Sequence, residues 1–163
     1  MGSFSKGAVI MGEQSPAKQL AAFLAKFEPD VATIAKGALA RLRKRLPGAY
    51  ELVYDNYNAL AVAFSPRDTS SAAIFSIAVY PRWVSLFFAR GARLPDTKGL
   101  LKGSGNKMRH IVLTTAEDIG SPDVEDLICA ALKLAGDPIK PTGRRQLIVK
   151  AVASKQRPRR GAR

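Results

Sequence analysis

The chain has 163 residues, 47% of them hydrophobic, and its 26 lysines and arginines against 13 acids give a net charge of +13. That length and apolar content suit one folded domain with a single core, and no apolar run approaches the ~20 residues of a membrane helix. Cys129 and His110 are the only residues of their kinds, which excludes an intramolecular disulfide and a self-contained Cys/His zinc site, so a reducing cytoplasm is the expected setting.

Residues 1–14 are expected to form a disordered leader; their short apolar patch "AVIM" falls far below a secretory h-region. Ser15-Pro16 then opens a helix, with serine as N-cap and proline where no backbone donor is needed. Leu20, Phe23, Leu24 and Phe27 follow at i, i+3, i+4, i+7 and share one face. After the break "EPD", with Asp30 the expected cap, Val31, Ile34, Ala35, Ala38, Leu39, Leu42 and Leu46 carry the same period. Arg43, Lys44 and Arg45 stand near the C-terminus of this second helix, where cations favour the macrodipole. Pro47-Gly48 closes it.

From Ala49 the period becomes two. The runs "AYELVYD", "NALAVAF", "SAAIFSIAVY" and "WVSLFFA" are separated by turns too short for crossovers, which predicts antiparallel hairpins. In the second run Leu60, Val62 and Phe64 share one face. Ala59, Ala61 and Ala63 leave the other face small enough for a helix or a ligand to approach.

A Gly- and Pro-rich stretch, "RGARLPDTKGLLKGSGN", leads into a fifth strand, "KMRHIVLT". Pro122 opens a third helix with Val124, Leu127, Ile128, Ala131 and Leu132 inward, and Gly136 ends it. "RRQLIVKAVA" reads as a last strand, at an edge or loosely attached. Residues 15–153 are expected as one domain, and "SKQRPRRGAR", residues 154–163, as a disordered basic tail. Residues 140–163 hold nine cations and no acid, leaving +4 for residues 1–139. Two helices, a run of strands and a closing helix predict an α+β fold: an antiparallel sheet of about five to six strands, with the two N-terminal helices and the C-terminal one on one face.

The segments "YELVYDNYNALAVAF", "VSLFF" and "LPDTKGLLKGSGNKMRHIVL", followed by "AEDIGSPDVEDLICAAL", resemble the YdhG-like family, a domain of unknown function. The resemblance spans roughly residues 18–135, and the Gly-rich loop running into "RHI" is its most specific part. It implies a small fold of helices on an antiparallel sheet. One bacterial branch of that family is treated as a frataxin-like iron chaperone, which needs clustered carboxylates because iron ions prefer hard oxygen ligands. Here the first two helices carry too few acids for such a ridge. Asp123 and Asp126 are the candidate metal pair, against the plainer reading of anions at a helix N-terminus.

"GSGNK" lacks P-loop spacing and runs into a strand, so no helix N-terminus stands behind it. Gly103 and Gly105 are expected to supply positive φ in a turn. The functional alternative is an anion perch of Gly103, Ser104, Gly105, Asn106, Lys107 and Arg109, with backbone N–H groups forming a nest. Tyr54, Asn56, Tyr57 and Trp83 are candidates for a shallow pocket, against simple turn chemistry and aromatic packing. His110 has no nearby sequence carboxylate to make it a base, and Cys129 borders the apolar stripe of the third helix. No catalytic constellation is visible.

The function these residues suggest is a non-enzymatic cytoplasmic binding module of the YdhG-like type. Its ligand is an unidentified small molecule or an anion at the Gly-rich loop, with no cofactor and no membrane partner. Two alternatives come from other classes. One is an iron-binding chaperone. The other is a tail of Lys155, Arg157, Arg159, Arg160 and Arg163 that tethers the domain to nucleic acid weakly and without sequence preference.

Overall fold

The computed structural model describes residues 14–141 and 144–160. The expected leader, except for Gln14, lies outside them. Helix α1 spans Pro16–Leu24, and its N-cap Ser15 accepts a hydrogen bond from the Lys18 amide at 3.2 Å. Helix α2 spans Pro29–Arg45. It starts two residues earlier than Asp30 capping would require: Glu28 is the N-cap, and Asp30 sits inside the first turn accepting from the Val31 amide. Proline at the first helical position fixes that start.

Six strands follow: β1 Tyr50–Asp55, β2 Leu60–Ser65, β3 Phe75–Val79, β4 Val84–Phe88, β5 Arg109–Leu113 and β6 Gln146–Val152. Helix α3, Pro122–Leu134, lies between β5 and β6. The sheet order is β5-β4-β3-β2-β1-β6. The four pairings from β1 to β5 are antiparallel, as the short turns require. The β1–β6 pairing is parallel, with a bulge between Val53 and Tyr54, so the sheet is mixed rather than wholly antiparallel. β6 reaches β1 only after α3, and a connection of that length can bring a strand back in the same direction.

Alternation divides the strands cleanly. Val53, Val62, Ile77 and Leu86 join Leu20, Leu24, Leu39, Leu42, Val124 and Ile128 in one contiguous core, so the apolar stripes of the three described helices share the core formed by this face of the sheet. Leu52, Ala61 and Ala78 point the other way. Two acids break the apolar pattern on the helix side. Glu51 is 1% exposed, and Arg43 Nε and Arg145 Nε donate to its two carboxylate oxygens at 2.8 and 2.6 Å. Asp55, also 1% exposed, is met by Arg159 Nη2 at 2.8 Å.

The second pair corrects the expectation of a disordered tail for residues 154–160. The chain beyond β6 folds over the β1–β2 turn: Ala153 N–H donates to Asp55 O at 2.8 Å and Arg157 N–H to Tyr57 O at 2.9 Å. Arg159 also donates to Asn56 O and Tyr57 O, and its guanidinium stands 5.4 Å from the Phe27 ring centroid. Arg160 donates to the Ala25 and Lys26 carbonyls at the end of α1. A buried carboxylate must find a cation or lose its charge. Asp55 therefore draws in a segment whose composition alone reads as solvated.

Candidate functional site

The loop between β4 and β5 is built by local bonds that fix its cations. A 3-10 turn covers Gly91–Arg93. Ala92 N–H donates to Lys107 O at 2.9 Å, which ties that turn to the end of the Gly-rich loop. Gly91 is required there, because a Cβ at that position would collide with Arg109 Cβ. Further along, both oxygens of Asp96 accept backbone N–H groups, from Leu100 at 2.8 Å and Leu101 at 2.9 Å. Lys102 and His110 exchange a pair of backbone bonds, and Gly103 turns the chain at φ +115°.

Two parts of the sequence expectation change here. Gly105 has no positive φ; among the "GSGNK" glycines only Gly103 does. Arg109 is also not free for an anion. It donates to the Gly105 and Met108 carbonyls of its own loop, so the loop turns acceptors toward the guanidinium. Gly103, Ser104 and Gly105 remain exposed at the loop surface. Their arrangement braces a turn.

Asn106 and Lys107 instead line a hollow of about 280 Å³ with Arg90 and Arg93. Arg90 and Lys107 are shared with an adjoining groove of about 420 Å³, whose floor includes Ile74, Ala89, Leu94 and Ala131. Arg90 Nη1 donates to Leu134 O at 3.3 Å, at the C-terminal end of α3. Arg67 stands on the far rim, paired with Asp137 at 2.7 Å. Among the described residues Arg90, Arg93 and Lys107 have no carboxylate partner. Three cations thus line one hollow beside a groove of mixed polar and apolar lining. Sequence reasoning missed Arg90 and Arg93, although "RGAR" places two cations around a glycine that marks a close approach.

The remaining candidates are only partly brought together. Asn56 and Tyr57 line a shallow hollow of about 480 Å³ on the side of the sheet away from the helices. Trp83 joins that side by stacking on Tyr80, with centroids 4.6 Å apart. Tyr54 shares the face through strand alternation, without lining the hollow. His110 lies against Phe87 at 4.9 Å.

Asp123 pairs with Lys98 at 3.4 Å and shares a small hollow with Asp126 and Asp96, whose oxygens the Leu100 and Leu101 amides occupy. Among the described residues no group of three or more His, Cys, Asp or Glu side chains could hold a metal. Cys129 Sγ donates to Glu125 Oε2 at 3.2 Å and accepts from Arg45 Nη2 at 3.3 Å. The Arg45 hydrogen bond, outweighing partial burial, holds the Glu125 carboxyl below its ordinary range, so this trio reads as a fastening between α2 and α3. Of the tail cations, Lys155 and Arg157 are exposed, Arg159 and Arg160 are engaged as described, and Arg163 lies outside the described residues.

No protein-family model, curated protein or solved structure matches the chain. Among the described residues no helix is long and apolar enough to cross a membrane. The described residues form an α+β fold of three helices and a six-stranded mixed sheet carrying a basic hollow at one end.

Proposed function

We propose that this protein is a non-enzymatic, cytoplasmic binding module for a small organic anion, held at the hollow of Arg90, Arg93, Asn106 and Lys107. The resemblance to the YdhG-like family is part of the proposal but carries none of its weight. The observation that carries it is the meeting of three cations without carboxylate partners among the described residues. Like charges gathered this way repel one another, and a bound anion relieves that repulsion. The amide of Asn106 offers both donor and acceptor. The adjoining groove suits an apolar part of the same ligand, which favours an organic phosphate or carboxylate over an inorganic ion.

Thermal unfolding in a panel of inorganic phosphate, organic phosphates and aliphatic carboxylates, each matched in ionic strength with chloride, tests this reading. A ligand that binds only the folded state raises stability by mass action, ~2.7 kcal/mol at a hundredfold excess over Kd. The expected result is a larger shift for at least one organic anion than for inorganic phosphate. Equal shifts across the panel reflect general salting effects and contradict the proposal.

A further inference from the structure

We propose that the face of the sheet turned away from the three described helices is a platform for single-stranded nucleic acid, at a site separate from the basic hollow. The 480 Å³ concavity there has a floor of Ala61, Ser76 and Ala78, small enough for a flat ring to come close to the sheet. Its walls are Tyr57, Tyr80, Phe87 and Met108, and Tyr57 and Met108 are 53% and 50% exposed. Trp83, 44% exposed, lies nearly parallel to Tyr80 at 20°, and His110 lies at 30° to Phe87. Tyr50 and Tyr54 alternate with Val53 and face the same way. The chain's four tyrosines, its tryptophan and its histidine are thus gathered on one side. Exposed rings concentrated on one open face mark a binding surface.

Charge selects the occupant. The concavity has no carboxylate among its lining residues. Exposed cations stand around it: Arg82 beside Trp83, Lys102 bonded across to His110, and Arg157 reaching Asn58 at 3.5 Å. None of the three has an ion-pair partner among the described residues. Aromatic rings for stacking combined with unpaired cations for phosphates are what sequence-tolerant single-strand recognition requires. The concavity runs from the β1–β2 turn to Met108 ahead of β5, crossing strands spaced ~4.8 Å apart, which gives room for two or three bases. Duplex bases are stacked inside and offer the rings no free face, so the surface favours single strands. Asn56, Asn58 and Ser76 offer hydrogen bonds to base edges.

The test is titration of the whole chain with oligo(dT), oligo(U) and a duplex of equal length, read by labelled-strand anisotropy and by the emission of Trp83, the only tryptophan. Single strands are expected to bind more tightly than duplex and to quench Trp83. Tyr57→Ala and Trp83→Ala, both at exposed positions, should each weaken binding about tenfold with the melting curve unchanged. Arg157→Ala should instead lower the salt slope by about 0.7. Arg93→Ala with Lys107→Ala should leave single-strand binding intact. Equal affinity for duplex and single strand with unchanged Trp83 emission overturns the proposal. So does undiminished binding by both aromatic variants, or no single-strand binding at about 50 mM salt.

Discussion

Arg159 illustrates how much a single side chain can decide. It sits in "RPRR", a run that reads as solvent-facing, yet it is 5% exposed and neutralises Asp55 beneath the β1–β2 turn. The fit is incomplete: Asp55 Oδ2 and Arg159 Nε are buried without hydrogen-bond partners in the described structure. Both charges have left water, so removing one partner strands the other. Arg159→Ala is therefore expected to cost about 3–5 kcal/mol in urea unfolding, with Asp55→Asn/Arg159→Ala costing less than the sum of the singles. A loss below about 1 kcal/mol would place the Arg159 side chain in solvent. This pairing was not legible in the sequence, because the 104-residue separation between partners leaves no local trace. Arg109 misled in the opposite direction. A cation next to a Gly-rich loop suggests an anion site, but here it serves the loop's own carbonyls.

At the scale of elements, the 3-10 turn Ala116–Gly120 holds a carboxylate whose protonation is linked to stability. Burial alone would raise the Asp118 carboxyl, but hydrogen bonds from the backbone and hydroxyls of Thr114 and Thr115 outweigh it and hold it below its ordinary value of 3.8. A depressed folded value stabilises the protein above the unfolded value, and the contribution is lost as pH falls through the folded one. Asp118→Ala should cost about 1 kcal/mol at neutral pH, as the loss of a cap does. The difference from wild type should shrink progressively below about pH 4. Denaturant midpoints across pH check it; a gap that stays constant down to pH 2 would show that the carboxylate is not what the turn uses.

Most elements were legible because their period is local. The stripe from Val31 to Leu46 and the alternation in "NALAVAF" each state their face within a few residues. The pairing of β6 with β1 was not, since neither strand's sequence specifies a parallel partner about ninety residues away. Its edge position was foreseen from the basic flanks, and Arg145 in that flank is the residue that reaches Glu51.

For the whole molecule, the charge of +13 includes cations that neutralise buried acids and cations with no carboxylate partner among the described residues. Arg43, Arg145 and Arg159 neutralise buried acids; Arg90, Arg93 and Lys107 gather at a hollow with none. The candidate site was half legible. Lys107 and Asn106 lay in a loop the sequence singled out, whereas Arg90 and Arg93 reach it only through the backbone bond from Ala92 to Lys107. The most direct measurement is isothermal titration calorimetry of the best organic anion from the thermal panel, comparing wild type with Arg93→Ala/Lys107→Ala. Losing two cations from one hollow is expected to weaken binding at least tenfold, with the melting curve of the unliganded variant unchanged. Equal affinities in the two proteins would contradict an anion site at this hollow.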